Sequence, residues 1–321
     1  MEKGTLALAI TGGSDNWSPA RWKARFGEVC ADRRVVLLPD DACAPDDVAY
    51  AAVWKLRHGV LAALPALRVI FNLGAGVDAL VADPTLPDLP VVRVADADLT
   101  GRMTEYVVLH VLAHHRRLFA LRADQQRHLW QPREQWAAGA LGVGIMGLGV
   151  LGADAAQVLR RLGFQVAGWS AHPKSIEGVA CFAGREQLSA FLRRTNILVC
   201  LLPLTPQTRH ILDRALFAQL DRTSPLGAPV LINAGRGGLQ VERDILACLD
   251  DGTLGGATLD VFETEPLPPD SPLWSHPGLV VTPHNAADTD PDAIAAYVAA
   301  QIARFEAGEP LQNVVDPARG Y

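Results

Sequence analysis

Short apolar runs alternate with longer amphipathic stretches along the whole chain, and this alternation predicts an α/β fold. Many of the runs are apolar at consecutive positions, as expected for parallel strands that helices cover on both faces. The repeated order of strand, helix and strand favours parallel sheets joined by right-handed crossovers. The predicted strands span residues 6–10, 35–38, 51–54, 69–73, 91–94, 142–146, 165–169, 197–201, 230–233, 257–261 and 279–282.

Three amphipathic stretches are predicted as helices that bear on the domain organisation. Ser18 and Pro19 suit the N-cap and first turn of a helix over 19–28. Residues 101–128 contain no Pro, and no Gly beyond the first position, so they predict one long helix or two abutting helices. A helix over 291–307 is predicted to carry the chain back to its first domain.

The position of a glycine-rich fingerprint divides the chain into two predicted domains. The fingerprint begins only at Gly147, and the ~100 residues at the start are enough for a separate α/β domain. Residues 1–103 and 285–321 are therefore expected to form a discontinuous substrate domain. Residues 104–284 are expected to form an inserted NAD(P)-binding Rossmann domain.

Composition limits the classes of partner and compartment. A net charge of −6 argues against a general nucleic-acid or anionic membrane surface. No stretch approaches the ~18–20 apolar residues of a membrane span, and the first apolar run is too short for a secretory signal. The five cysteines form no CxxC or Cys/His ligand spacing, so no metal site is expected. Scattered thiols of this kind favour the reducing cytoplasm.

A glycine-rich loop stands between a predicted strand and a predicted helix, the context in which a dinucleotide-binding fingerprint is specific. The first glycine suits the tight turn, the second lets a pyrophosphate approach the backbone, and the third lets helix and strand pack closely. The helix N-terminus then faces the phosphates. A simple glycine-rich turn is the less favoured interpretation. The loop comprises Gly147, Leu148, Gly149, Val150, Leu151 and Gly152.

The end of the next strand favours NADP over NAD. An NAD site usually has an acid about 20 residues after the glycines, where it binds the ribose hydroxyls, but this chain has Ser170 there. Without the acid nothing repels a 2′-phosphate, and Ser170, His172 and Lys174 supply donors and positive charge. NAD remains the weaker alternative, and Lys174 as a plain solvated lysine is the competing interpretation.

A guanidinium, a carboxylate and an imidazole follow three successive predicted strands. Arg236, Glu265 and His284 are expected at the carboxyl edge of a parallel sheet, where α/β proteins bind ligands. In the reduction of a 2-keto acid, the guanidinium holds the carboxylate and polarises the ketone. The imidazole gives the carbonyl oxygen a proton as hydride reaches the carbon, and the carboxylate orients the imidazole and stabilises its charged form. Asp260, at the end of its strand, is a candidate acceptor for the nicotinamide amide.

A second glycine-containing loop follows a strand in the first domain. Its backbone N–H groups at Ala75, Gly76 and Val77 are candidates to bind a small anion such as a carboxylate. From spacing alone, a simple strand-to-helix turn is an equally good interpretation.

Together these motifs, with matches along nearly the whole chain, resemble the D-isomer-specific 2-hydroxyacid dehydrogenase family, and more narrowly its glyoxylate/hydroxypyruvate reductase A subgroup. The resemblance implies two Rossmann-like domains, one flavodoxin-like and one NAD(P)-binding, with a cleft between them. It implies that Arg236, Glu265 and His284 are catalytic and that the loop around Gly76 binds the substrate carboxylate. Residues implied to line the nicotinamide half of the cofactor are Leu202, Pro203, Thr208, Ala234 and Asp260, and Gly235 is a further candidate for cofactor binding.

Related reductases also imply a homodimer. Their corresponding helix and loop form the dimer contact, and a tryptophan there approaches the neighbouring subunit's substrate. The matching region here is 101–135, and the matching tryptophan is Trp130. Packing of Trp130 on its own domain is an equally good interpretation.

Departures from the subgroup leave the keto acid open. After Trp54, relatives carry a histidine and prolines, whereas this chain has Lys55-Leu56-Arg57. Trp54 and Lys55 are therefore candidate substrate-binding residues, and a bulkier or more anionic 2-keto acid is the alternative to glyoxylate and hydroxypyruvate. A non-catalytic NAD(P)-sensing protein is a third interpretation, disfavoured because the three catalytic groups are all present.

Overall fold

The computed structural model describes residues 3–11, 18–74, 76–94, 97–287 and 290–316. The chain divides into two compact units, Met1–Leu99 with Thr289–Tyr321, and Thr100–Asp288. Within the described residues, no helix combines the length and the apolarity needed to cross a membrane. The helices are α1 Pro19–Val29, α2 Asp78–Val81, α3 Ala97–His115, α4 Leu118–Gln126, α5 Val150–Arg161, α6 Gly184–Leu192, α7 Arg214–Phe217, α8 Glu242–Asp250 and α9 Pro291–Glu306.

The first unit is built on a parallel sheet in the order β2-β1-β3-β4-β5. This is the flavodoxin-like order. The order in which strands are added to the sheet reverses between β1 and β3, although all the strands are parallel. Helices α1 and α9 cover one face, where Trp22 and Phe26 pack with Ile294 and Val298. The strands are β1 Thr5–Ile10, β2 Val35–Leu37, β3 Val48–Trp54, β4 Val69–Asn72 and β5 Val91–Arg93.

The second unit is built on a parallel sheet in the order β12-β11-β10-β9-β6-β7-β8. Counted from β6, this is the Rossmann order 3-2-1-4-5-6 with one more strand, and its reversal lies between β6 and β9. Both faces are apolar: Val107 and Leu159 lie in the core on one side, Phe191 and Ile245 in the core on the other. The strands are β6 Gly142–Met146, β7 Gln165–Ser170, β8 Ala180–Ala183, β9 Ile197–Cys200, β10 Val230–Asn233, β11 Gly256–Leu259 and β12 Leu279–Val281.

The helix predicted over 101–128 is two helices, and it begins before Gly101. Helix α3 ends at His115 and α4 begins at Leu118, with Arg117 between them in the left-handed region at φ 55°. The guanidinium of Arg117 donates to the Pro225 carbonyl at 3.0 Å and lies 4.5 Å from the centre of the Trp136 ring. These long-range contacts hold a break that no Gly or Pro marks in the sequence.

Two further local predictions differ from the structure. The sequence pattern missed β8, a short edge strand whose side chains are all half-buried and therefore show no strong apolar signal. Ser18 occupies the N-cap of α1 and Pro19 its first turn, but the Ser18 hydroxyl makes no capping hydrogen bond. The remaining predicted strands differ from the observed ones by three residues or fewer at either end.

Candidate active site

Three loops leave neighbouring strands of the second sheet at its carboxyl edge. Strands β10, β11 and β12 are adjacent in the sheet and all parallel. Arg236 follows β10, Glu265 follows β11 and His284 follows β12, so the parallel register brings all three loops to one edge. The carboxyl edge of an open α/β sheet is where ligands bind.

His284 and Glu265 form a direct pair. Nδ1 of His284 lies 2.6 Å from one carboxylate oxygen of Glu265. The other oxygen of Glu265 accepts a hydrogen bond from the Phe262 N–H at 3.1 Å, so the carboxylate is held against the backbone of its own loop. Nε2 is thus the imidazole nitrogen that remains for a substrate, and the ring, 40% exposed, is accessible to one. This geometry orients the ring.

The backbone at His284 is held in an uncommon conformation. Its φ is 53°, in the left-handed region that non-glycine residues seldom adopt. Such a residue costs on the order of 1–3 kcal/mol and persists only where its surroundings fix it. Here the His284 N–H donates to the carbonyl of Asp260 at 2.8 Å.

The carboxylate of Asp260 fixes the same loop from inside the protein. It accepts hydrogen bonds from the Thr282 hydroxyl at 2.6 Å and from the N–H groups of Asn285 and Ala286 at 3.0 Å each. Asp260 is only 1% exposed. In the structure its oxygens shape the loop that carries His284, and the bond from the nicotinamide amide to Asp260 stays a prediction.

Arg236 is placed by a buried amide network. The Asn233 side chain donates to the Arg236 carbonyl at 3.2 Å and to the Gln240 side chain at 2.8 Å. Gln240 in turn donates to the carbonyl of Val261, just after β11, at 2.9 Å. One guanidinium nitrogen of Arg236 donates to the Gly235 carbonyl at 2.8 Å. The Arg236 loop is therefore hydrogen-bonded, through Gln240, to the segment between β11 and Glu265.

Gly237 permits a close approach of the Arg236 and Glu265 loops. A Cβ placed at Gly237 would lie 1.8 Å from the carbonyl oxygen of Phe262, far inside any allowed contact. Only a glycine lets the two backbones lie this close. The motif Ala234-Gly235-Arg236-Gly237 thus has a packing reason as well as a chemical one.

The glycine-rich loop after β6 has the shape that a dinucleotide site needs. Gly147 has φ 105°, and its place would not admit a Cβ because Leu201 lies 2.7 Å away. A Cβ at Gly152 would lie 1.9 Å from the Gly147 carbonyl oxygen, so this glycine lets α5 pack on β6. By contrast, a Cβ at Gly149 would meet nothing within 4 Å. The open space at Gly149 and the N-terminus of α5 at Val150, beside Leu151, fit a pyrophosphate.

The end of β7 carries no acid, as the sequence indicates, but its serine is engaged. Ser170 is 8% exposed, and its hydroxyl donates to the His172 carbonyl at 2.7 Å. Its contribution is therefore to shape the loop rather than to donate outward. His172 and Lys174 are exposed and are the groups available to a 2′-phosphate.

The loop after β9 is held by hydrogen bonds of a threonine hydroxyl. The Thr208 hydroxyl donates to the Pro203 carbonyl at 2.7 Å and accepts from the Thr205 N–H at 2.8 Å. Leu202 and Ala234 are both buried, at the ends of the neighbouring strands β9 and β10. These residues shape the wall beside the glycine-rich loop, since β9 pairs with β6.

In the first unit, the glycine loop after β4 is fixed by Asn72. The buried Asn72 side chain donates to the carbonyls of Gly74 at 2.7 Å and Gly76 at 3.0 Å. The Trp54 ring packs on Gly74, where a Cβ would lie 2.2 Å from it. Gly76 is half-buried and Val77 is buried, whereas Ala75, also predicted to bind substrate, lies outside the described residues.

Lys55, directly after β3, is exposed and has φ 51°. A left-handed lysine is uncommon and marks a backbone that its surroundings hold in place. The turn places a cationic side chain at the carboxyl edge of the first sheet, two residues before Arg57.

Sequence reasoning missed several positioning residues. In the sequence pattern, Asn233 and Thr282 are only the last residues of two predicted strands. Tyr106 donates to Thr282 from 176 residues away, and Gln240 has no motif around it. Their buried hydrogen bonds are long-range, so only the position of Thr282 two residues before His284 gave a signal.

A family model describing the NAD-binding domain of D-isomer specific 2-hydroxyacid dehydrogenases matches residues 108–286. The match covers more than half of the chain and includes Arg236, Glu265 and His284.

The chain belongs to the D-isomer specific 2-hydroxyacid dehydrogenase family.

Individual relatives agree with this family. A glyoxylate/hydroxypyruvate reductase A from Yersinia enterocolitica is 44% identical over 278 residues, which are 85% of this chain and 87% of the relative. An NADPH-dependent glyoxylate/hydroxypyruvate reductase from Sinorhizobium meliloti, solved with NADP and sulfate, is 47% identical with a TM-score of 0.94. The superposition covers 99% of this chain and 100% of that one.

A probable 2-hydroxyacid dehydrogenase from Rhizobium etli was solved with NADP, HEPES and L(+)-tartaric acid. It is 43% identical, with a TM-score of 0.93 over 99% of this chain and 100% of that one. Both α/β units of this protein therefore have the fold of its family.

The close approach at Gly237 yields a test of the site's construction. Gly237→Ala forces the Phe262 backbone away, so we expect a loss of about 3 kcal/mol or more in the free energy of unfolding, measured in urea. Gly238→Ala is the matched control, because a Cβ there would meet the end of the flexible Leu204 side chain at 2.9 Å. Equal stability of the two variants would contradict the close-approach account.

Proposed function

We propose that this protein reduces small 2-keto acids with NADPH, glyoxylate to glycolate and hydroxypyruvate to glycerate first among them. The observation that carries the proposal is the pair of His284 and Glu265, 2.6 Å apart at the carboxyl edge of the second sheet. A 2-hydroxyacid dehydrogenase needs a proton donor held in this way, a guanidinium close to it and a dinucleotide site. Here the guanidinium lies on the adjacent loop, and the glycine-rich loop fits a dinucleotide. The named relatives with reductase activity support the same function.

His284 acts as the general acid in this proposal. When bound, the nicotinamide supplies hydride to the carbonyl carbon. Nε2 of His284 gives its proton to the carbonyl oxygen, and Glu265 stabilises the positive ring through Nδ1 until that transfer. Because one oxygen of Glu265 is held by the Phe262 N–H, the imidazole is oriented before the substrate arrives.

Arg236 binds and polarises the keto acid in this proposal. Its guanidinium offers several donors in a planar fork, which suits a carboxylate and a neighbouring ketone oxygen. The Asn233 amide holds its backbone, and the bond from the guanidinium to the Gly235 carbonyl restrains the side chain, so less entropy is lost on binding.

We assign the substrate carboxylate to the glycine loop of the first unit. The Asn72 side chain occupies the carbonyls of Gly74 and Gly76, which fixes the peptide planes of this loop. Peptide N–H groups held in a turn form an anion site. Ala75, Gly76 and Val77 are the N–H donors in this proposal; Ala75 lies outside the described residues, and the Trp54 ring packs on Gly74 beside Gly76.

NADP is the proposed cofactor, with NAD as the weaker one. No carboxylate stands at the end of β7 to repel a 2′-phosphate, and His172 and Lys174 are exposed there. At the glycine-rich loop, the open space at Gly149 and the N-terminus of α5 receive the pyrophosphate, while Gly147 and Gly152 shape the loop around them. Relatives solved with NADP support this choice.

A bulkier or more anionic 2-keto acid is the second candidate substrate. The observation that favours it is Lys55, a cation at the carboxyl edge of the first sheet. A panel of 2-keto acids, including dicarboxylic ones, assayed for kcat/KM decides between the two.

We also propose a homodimer formed through the 101–135 region. The apolar positions Val107 and Val111 of α3 are buried in the protein's own core and need no partner. Leu109, Leu118 and Leu121 are instead exposed, at 58%, 50% and 38%, and they line one shallow groove. A second copy with the same apolar surface is the occupant we assign to it. Trp130, 97% exposed, lies in the loop after α4.

A cytoplasmic location is proposed from the thiols. The five cysteines are free, and burial raises the pKa of the Cys200 thiol to about 12, so it is inert. Structural thiols of this kind are typical of reducing compartments.

Replacement of the acid tests the function most simply. His284→Ala is expected to lower kcat for glyoxylate by about 10²–10⁴-fold, because the carbonyl oxygen loses its positioned proton donor. Glu265→Gln lowers kcat less, since the amide can still hold Nδ1. His276→Ala is the control: His276 is also paired with a carboxylate, Asp250 at 3.4 Å, but it lies before β12 rather than after it. Near-normal kcat in His284→Ala would refute the assignment.

Cofactor preference is tested by restoring the missing acid. The unmodified protein is expected to have the higher kcat/KM with NADPH, and Ser170→Asp to shift the ratio toward NADH by repelling the 2′-phosphate. Ser189→Asp, the same change on α6, is the control and leaves the ratio as it was. Equal kcat/KM for both cofactors in the unmodified protein would contradict the NADP assignment.

The assembly is tested by placing charge in the groove. Leu118→Glu with Leu121→Glu is expected to convert a dimer into a monomer of 34.4 kDa, as seen by sedimentation velocity. Leu162→Glu, a comparably exposed leucine at the end of α5, leaves the dimer intact. If the unmodified protein sediments as a monomer, the homodimer is excluded.

A further inference from the structure

A line of hydroxyl groups leads from helix α3 to the loop of His284. The Tyr106 hydroxyl lies 2.7 Å from the Thr282 hydroxyl, which lies 2.6 Å from the Asp260 carboxylate. Asp260 then accepts from the N–H groups of Asn285 and Ala286, the two residues after His284. These contacts all lie within the second unit.

The direction of each hydrogen bond follows from the chemistry of the groups. A carboxylate only accepts, so the single proton of Thr282 goes to Asp260. The Thr282 oxygen is then an acceptor, and Tyr106 must donate to it. The protons therefore all point from α3 toward the carboxylate, an arrangement in which each bond polarises the next.

The surroundings keep the Tyr106 hydroxyl, the first group of this hydrogen-bonded series, neutral. Tyr106 is 9% exposed, and burial, more than the nearby Asp260, raises the pKa of its hydroxyl. The His110 ring lies 4.3 Å from the Tyr106 ring, centre to centre, and burial lowers the pKa of this imidazole. A neutral phenol backed by a neutral imidazole is a hydroxyl donor across the working pH range, and Asp260 is the charged group that faces it.

We propose that Tyr106 and Thr282 are positioning residues for His284: through Asp260 they hold the 282–286 loop in the conformation that presents the imidazole to the substrate. The inference rests on the proposed function only for its kinetic consequences. Both side chains act by completing the hydrogen bonds of the carboxylate around which the loop folds.

The consequence of breaking the line is a displaced acid rather than a lost binding site. Without the Thr282 hydroxyl, Asp260 keeps its two backbone donors but loses its link to α3, and the left-handed backbone at His284 is less firmly fixed. A displacement near 1 Å in a catalytic group can lower the rate about 100-fold. Cofactor binding depends on the glycine-rich loop and is unaffected.

The kinetic test compares three variants. Thr282→Val removes the hydroxyl and keeps the shape, so we expect kcat for glyoxylate to fall about 10-fold to 100-fold with little change in the Kd for NADPH. Thr282→Ser keeps the hydroxyl, so its kcat is expected to stay within about threefold of that of the unmodified protein. Thr258→Val is the control: its hydroxyl lies 2.9 Å from Nε2 of His114 on the same helix, and it does not contact Asp260.

A second readout needs neither substrate nor cofactor. The imidazole NMR signals of His284, assigned by their absence in His284→Gln, are expected to shift in Thr282→Val and in Tyr106→Phe but not in Thr258→Val. Tyr50→Phe, which removes another buried phenol hydroxyl in the first unit, is the control for Tyr106→Phe.

The outcomes separate the two hypotheses. Shifted His284 signals in a protein that does not reduce glyoxylate would keep the positioning role and reject the proposed substrate. Unshifted signals and unchanged kcat in Thr282→Val would overturn the positioning role while leaving the reductase intact. Equal loss of kcat in Thr258→Val would reduce the effect to general packing and also overturn it.

Discussion

The buried carboxylate of Asp260 is the constraint on which the site depends. It is 1% exposed and receives hydrogen bonds from Thr282, Asn285 and Ala286, so the loop after β12 is wrapped around a desolvated charge. Burying a carboxylate is costly unless its oxygens are satisfied, and here the loop that satisfies them also carries His284. These bonds hold the residues on both sides of His284, and the His284 N–H itself bonds the Asp260 carbonyl, so the left-handed backbone is fixed by its surroundings. Fold stability and catalytic geometry therefore depend on the same bonds.

Close backbone approaches then bring the other groups to this loop. Gly237 lets the chain of Arg236 lie against Phe262, and the Phe262 N–H in turn holds the carboxylate of Glu265. Gly152 does the same for the cofactor loop, where α5 begins against β6. In each case a side chain would have pushed two functional segments apart. The sheet supplies the common edge, and the glycines let the loops meet there.

Much of this was accessible from the sequence, for a physical reason. Parallel strands have strong apolar patterns, and residues directly after them must lie at one edge, so Arg236, Glu265 and His284 could be grouped without a structure. Side-chain orientation could not be read in this way. Ser170 turns its hydroxyl to the His172 carbonyl, and the break between α3 and α4 depends on Arg117 contacts 108 residues away. The link between Tyr106 and Thr282 spans 176 residues and leaves no local pattern.

The most direct measurement of the central claim is the rate of NADPH oxidation with glyoxylate in an Asp260→Asn variant, alongside its Kd for NADPH. The amide keeps the size of the carboxylate but brings an NH₂ group against N–H donors, so the loop of His284 must rearrange. We predict that kcat falls at least about 100-fold while NADPH still binds. A variant that retains the kcat of the unmodified protein would show that His284 does not depend on the buried carboxylate, and would contradict the account.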